Sequence, residues 1–177
     1  MPFNFNESGW NEFPIEQQQL SNWCWAACAV SISTFYEGRK TLTQPVVASS
    51  ILNLPICNAV RPPIIPCNKT LDLGIALDKV RHLNGVPIDS PLSPNGLATA
   101  LGRGTPVGCQ MEIPRPDGRA IGHAIIVVSG KLDNAGTLFL RVADPSDGSI
   151  NSMSFSSLRN NYRGTGGLWI RSYFTKA

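Results

Sequence analysis

Residues 18–28, QQLSNWCWAAC, place a cysteine between two tryptophans, behind a glutamine-rich polar run and ahead of small residues. A cysteine that attacks a carbonyl must be a thiolate, so its pKa has to fall from the free value of about 8.5; a helix N-terminus and a neighbouring imidazolium both lower it. Cys24 stands where the polar run ends and an alanine-rich apolar run begins, which puts its sulfur at or near a helix N-terminus. Acyl transfer also needs donors for the developing oxyanion. The backbone N–H of Cys24 offers one, and the side-chain amides of Gln17, Gln18 and Gln19 offer others. Free cysteine is often just a buried core residue; the tryptophans and the upstream amides favour chemistry at Cys24. Cys28 lies one turn further along the same helical side and reads as packing or as half of a disulfide.

A thiolate needs a histidine, and the chain has two. His82, in DKVRHLNG, follows Asp78 by one helical turn and reads as a solvated ion pair. His123, in GRAIGHAIIVVSG, opens a strongly apolar strand, where an imidazole is costly without partners. A third group must fix its tautomer and steady its charged form. Asp144 ends the following strand in FLRVADPSDGS, and a turn between two antiparallel strands would bring it near His123. Asp147 competes, but it sits in a Ser-Asp-Gly turn.

These patches resemble the papain-like cysteine peptidases. The pattern Q-x5-C-W followed by small residues is similar to that family, in which a glutamine six positions before the nucleophile supplies the oxyanion hole; that spacing implies Gln18. The longer string Q-x-x-x-N-W-C-W-A-A is similar to a bacterial branch of secreted peptidases and plant-pathogen effector proteases. The Cys-Gly-Ser/Ala-Cys-Trp/Tyr signature of papain itself is not matched, so the likeness is to the wider clan. Gly122-His123-Ala124 fits the family's histidine at the start of a central strand. The D-P-x-x-G element at Asp144 is similar to that of bacteriocin-processing peptidases, whose aspartate completes the triad. The resemblance implies catalytic Cys24, His123 and Asp144 with Gln18 at the oxyanion. It spans about residues 14–144 in layout, and residues 53–70 follow no family pattern.

The elements that must position these residues divide into two halves. Residues 24–38 read as a buried helix, apolar on every side, with Gly38 as its stop. Further helices are expected from about Gln44, from Leu71 to Asn84 and from Ser93. From Thr105 the pattern becomes short β-branched and aromatic runs, TPVGCQMEI, GHAIIVVSG, TLFLRVAD, SINSMSF and GGLWIRSYF, parted by turn residues. A short helical turn is expected at 156–161. Helices followed by an antiparallel sheet make an α+β fold, papain-like by resemblance, in one domain over residues 1–177 with 1–13 as an N-terminal extension.

Composition narrows the function. Charged residues are 15% of 177 and the net charge of +3 comes from scattered Lys and Arg, so no nucleic-acid partner is indicated. No apolar run approaches the roughly 20 residues of a membrane span, and MPFNFNESGW lacks the features of a signal peptide. Four cysteines remain beside Cys24, enough for two disulfides, and Cys57 and Cys67 close a Pro-rich loop suited to a bridge. Without a CxxC pair, no zinc or other metal is expected, and no cofactor. The expected activity is hydrolysis of peptide bonds in a protein or peptide substrate through an acyl-enzyme. Related amide chemistry (deamidase, transglutaminase, isopeptidase or cell-wall amidase) and a non-catalytic binding module on the same fold stand as alternatives, and a Cys24–Cys28 redox pair lacks CxxC spacing. The resemblance implies work outside the producing cell, as a secreted or translocated effector or toxin with an immunity protein or inhibitor; a cytoplasmic role is the other reading.

Overall fold

The computed structural model describes residues 13–177. The expected extension lies outside the described residues except for Phe13, which is buried against Phe35 with ring centroids 5.4 Å apart. Helices α1 (Cys24–Glu37), α2 (Gln44–Leu52), α3 (Ile64–Cys67), α4 (Leu73–Lys79) and α5 (Pro94–Gly102) precede a sheet of β1 (Val107–Pro114), β2 (Ala120–Leu132), β3 (Leu138–Asp144), β4 (Ser149–Ser154) and β5 (Leu168–Phe174). Helix α6 (Phe155–Asn160) comes before the last strand. The strand order is β4-β3-β2-β1-β5 and every pairing is antiparallel. This is the α+β arrangement expected from the sequence.

The central strand β2 explains the run AIIVV. Ala124, Ile126 and Val128 face Cys24, Cys28 and Ile32 of α1, while Ile125 and Val127 face Leu97 and Leu101 of α5 and Leu158 of α6. A strand covered on both faces has no reason to alternate apolar with polar residues. Helix α1 is likewise covered twice. Its opposite side, with Trp25, Ala26, Ala29 and Val30, packs on Val47 and Ala48 of α2 and Ala76 of α4. It ends where Gly38 takes a left-handed conformation, φ 66°.

Helix α4 is shorter than the periodicity of 71–84 predicts. Asp72 caps it by accepting from the Gly74 N–H at 2.7 Å, and the chain leaves the helix at Arg81, whose φ is +67°. That turn carries His82 off the helical face of Asp78. Instead of the expected solvated pair, His82 is buried, its Nδ1 2.8 Å from the Lys176 carbonyl and its ring stacked on Tyr36.

Cys57 and Cys67 form a disulfide, whereas Cys28 and Cys109 are buried free thiols, so the second bridge the count allowed is absent. Cys28 instead donates to the Ala124 carbonyl at 3.5 Å. The bridge closes the loop that carries the 3₁₀ turn Pro55–Asn58 and α3. Cross-linking so short a loop restricts the unfolded chain by about 3 kcal/mol. Changing both Cys57 and Cys67 to serine is therefore expected to lower unfolding stability by about that amount, measured as a lower urea midpoint. Among the described residues, no helix is long and apolar enough to cross a membrane.

Candidate active site

Packing of α1 on β2 sets the first distance in the site. The Cys28 bond to the Ala124 carbonyl seats the second turn of α1 over the start of the buried part of β2. Cys24, one turn earlier, thereby comes to His123, the residue before Ala124. The chain on either side of Cys24 is tied down by the segment that follows the disulfide loop. The Trp23 and Trp25 indole N–H groups donate to the carbonyls of Cys67 at 2.8 Å and Lys69 at 2.9 Å. The Asn22 N–H donates to Asn68 Oδ1 at 2.8 Å, and Asn22 Nδ2 to the Asn68 carbonyl at 3.1 Å. Both tryptophans are fully buried, so each indole N–H needs such an acceptor. The two tryptophans thus bolt the helix start to the disulfide-closed loop.

Cys24 is 8% exposed and lines a cleft of about 600 Å³ together with Asn22, Thr70, Asp72, Gln110 and His123. A thiol at the rim of such a cleft is open to a substrate on one side and packed on the other.

The strand pairing sets the second distance. Ile126 pairs with Ala143 and Val127 with Val142, so Asp144 falls on the face of the sheet shared by His123, displaced along the strands as a diagonal neighbour. His123 Nε2 lies 2.8 Å from Asp144 Oδ1, and His123 shares its cleft with Cys24, which leaves Nδ1 for the sulfur. Burial by itself would lower the His123 pKa, but the bonds to Asp144 and Cys24 and the charges there outweigh it and raise it to about 9. Asp147 sits elsewhere, held by Ser149 and Arg163 in an exposed turn. Of the two candidate aspartates, Asp144 is the one that meets the histidine.

Four donors surround the Asp144 carboxylate. Oδ1 accepts from His123 and from the Ser146 N–H at 2.8 Å; Oδ2 accepts a short bond from the Tyr162 hydroxyl and faces Arg163 Nη2 at 3.2 Å. Burial pushes such a group up, yet His123, Tyr162 and Ser146 together hold it well below the usual carboxylate range. Burial and the Asp144 charge push the Tyr162 hydroxyl well up, so it remains a donor. Sequence reasoning missed Tyr162 and Arg163. They lie in NNYRGTGG, a turn-rich stretch with no spacing relation to the other site residues, and the only local signal is an aromatic–arginine pair among glycines.

Gln18 lies on the other flank of His123, where a second cavity of about 240 Å³ is lined by Gln18, His123, Asp144, Tyr162 and Arg163. Its Nε2 donates to the carbonyls of Leu20 at 3.1 Å and Ser21 at 2.6 Å, and its Oε1 is buried without a partner. The structure therefore places Cys24 and His123 on one cleft and Gln18, His123 and Asp144 on the adjoining cavity, His123 being common to both, with the Gln18 hydrogens turned to backbone carbonyls. Chemically, a thiol, an imidazole and a carboxylate in series can form a thiolate–imidazolium pair and pass a proton to a leaving group.

A family model described as papain-like cysteine protease AvrRpt2 matches residues 7–163. No curated protein matches the chain.

Proposed function

This chain belongs to the papain-like cysteine protease AvrRpt2 family, and from that premise we propose that it is a single-domain thiol hydrolase working through Cys24, His123 and Asp144. The observation that carries the assignment of roles is that Cys24 and His123 share one cleft, with His123 bonded in turn to a carboxylate held by four donors. The Cys24 thiolate adds to the scissile carbonyl carbon, and the carbonyl π electrons move onto oxygen. His123 Nδ1–H then gives its proton to the departing amine as the C–N bond breaks, which leaves a thioester. Neutral His123 takes a proton from water, the hydroxide adds to the thioester, and the thiolate leaves with the acid product.

Asp144 keeps the imidazole turned so that Nδ1 faces sulfur, and it steadies the imidazolium. Gln18 and the Cys24 N–H serve the oxyanion. The first N–H groups of a helix have no intrahelical acceptor, so the Cys24 N–H is available for it. The Gln18 amide exchanges its longer bond, to the Leu20 carbonyl, for the oxyanion. The charge on the oxyanion makes it the stronger acceptor of the two.

Action outside the producing cell, as a secreted or translocated effector, is supported by the likeness of the WCWAA string to secreted and effector proteases and by the Cys57–Cys67 disulfide, a feature of oxidising compartments.

The test is digestion of reduced casein in water enriched in heavy oxygen, followed by mass spectrometry. Hydrolysis through an acyl-enzyme leaves new amino termini and one heavy oxygen on each new carboxyl terminus. A deamidase would give a one-dalton gain (before label) and no new termini, and a transglutaminase would give cross-links or amine adducts. The same preparation with Cys24→Ala is expected to yield none of these products; new termini from that variant would sink the assignment.

A further inference from the structure

The amide of Gln44 grips the backbone on both sides of Gln18. Gln44 is the first residue of α2, remote in sequence from the glutamine run, and only 1% exposed. Its Oε1 accepts from the Gln19 N–H at 2.9 Å, while its Nε2 donates to the Gln17 carbonyl at 2.8 Å and to Glu16 Oε2 at 3.1 Å. The amide orientation is fixed by chemistry, since the Gln19 N–H needs an acceptor and the Gln17 carbonyl needs a donor. All its hydrogens are used.

Around this grip the loop is strapped from the opposite side. The Gln18 N–H donates to the Pro145 carbonyl at 2.7 Å, and Gln17 Nε2 to the Ser146 carbonyl at 3.3 Å. Both acceptors belong to the turn that leaves Asp144. Gly148 in the same turn lets the loop approach closely, because a Cβ there would stand 3.3 Å from Gln17 backbone and side-chain atoms. Glu16, at the far side of the grip, is paired with Lys40, and its N–H donates to Ser31 Oγ at 3.0 Å. Among the buried polar side-chain atoms of this run, Gln18 Oε1 alone lacks a partner. The surroundings thus fix the backbone of Gln18 rigidly and leave its side chain incompletely satisfied.

We propose that Gln44 is a positioning residue for the oxyanion hole, acting through Gln18; the inference rests on the reading of Gln18 given above. Oxyanion donors work only when they are already aimed at the place where charge develops. A misplacement of about 1 Å can cost on the order of 100-fold in rate. A buried side chain that ties the residues before and after Gln18 to the rigid start of α2 supplies that aim, while touching neither Cys24 nor His123.

A double-mutant cycle tests it on the full chain, with initial rates over a concentration series of dye-labelled casein. Gln44→Met keeps the volume and removes all three hydrogen bonds. Alone, it is expected to lower kcat about 10- to 100-fold with little change in KM, and Gln18→Ala about 100- to 1000-fold. In the Gln18→Ala background, Gln44→Met is expected to cost nothing more. Alkylation of Cys24 by iodoacetamide is expected to keep its wild-type rate in both variants, which separates misplaced Gln18 from a collapsed site. Equal losses from Gln44→Met with and without Gln18 would overturn the proposal and make Gln44 a general scaffold residue, as would an unchanged kcat. If Gln18→Ala itself has no effect, the oxyanion role of Gln18 fails first, a different and separately visible result.

Discussion

Replacing His123 with alanine is expected to lower peptide hydrolysis by about 10⁵-fold or more and to slow alkylation of Cys24 near pH 6 by about 100-fold. The first figure follows from the non-additive character of a nucleophile and its base, either of which disables the unit when removed. The second follows from the thiolate fraction. An isolated thiol of ordinary pKa is only about 0.3% ionised near pH 6, whereas a thiol facing an imidazolium reacts as the ion pair. Iodoacetamide labelling followed by intact mass reads both the rate and the site. Cys28 and Cys109 do not compete, because burial raises both thiols well above their usual range. If Cys24 labels equally fast without His123, the ion pair does not exist and the catalytic reading fails with it.

The same pair fixes a direction of pH dependence. His123 is raised from 6.5 to about 9, so the fold favours its protonated form. The stability it contributes is complete below about pH 6.5 and is lost as pH rises through about 9. Activity carried by the ion pair should fall on the alkaline side with a midpoint near 9. Asp144, being lowered, works in the opposite direction: its contribution is complete above the ordinary carboxylate range and disappears only in strong acid. Urea midpoints measured for wild type and His123→Ala should therefore converge above about pH 9.

What the sequence disclosed and what it withheld divide along a physical line. Cys24 and His123 were legible because each stands at a junction of patterns, a polar run meeting a buried helix and an imidazole opening an apolar strand. Asp144 was legible because a hairpin partner is a local relation. The strands were legible from their β-branched runs and turn residues, and β2 was the plainest since it is buried on both faces. Helix α4 was overextended because the apolar period of Leu73, Leu77 and Val80 continues in sequence while Arg81 turns the chain left-handed. His82 was misread for the same reason, and nothing in DKVRHLNG announces the Lys176 carbonyl that it meets. Tyr162, Arg163, Asn68 and Gln44 were not legible at all. Each acts on a residue far away in the chain, through hydrogen bonds or an ion pair that leave no period and no motif.

Those distant contacts give Asp144 its particular sensitivity, and Asp144→Asn is expected to reduce kcat by about 10³- to 10⁴-fold. An asparagine has one acceptor oxygen where this site uses two. If its oxygen stays with the His123 N–H and the Ser146 N–H, its NH₂ group must face the Tyr162 hydroxyl and the Arg163 guanidinium. Tyr162 can turn its hydroxyl and accept, but Arg163 has no acceptor to offer, so two donors oppose each other. If the amide flips, its NH₂ points at His123 Nε2 and selects the tautomer with the proton on Nδ1 and a neutral ring, which cannot hold a stable imidazolium beside the thiolate. Both orientations are penalised, and the second abolishes the ion pair. Removing the opposing cation should relieve the first. The double variant Asp144→Asn with Arg163→Leu is expected to recover about 10-fold over Asp144→Asn alone, while Arg163→Leu by itself loses activity. Saturation kinetics on the same casein substrate, with Cys24 alkylation rates taken in parallel, decides between the two orientations. Recovery of kcat together with alkylation shows that the guanidinium, through Asp144, sets the imidazole. A double variant no better than Asp144→Asn would show that the missing charge, and not the opposed donors, disables the site.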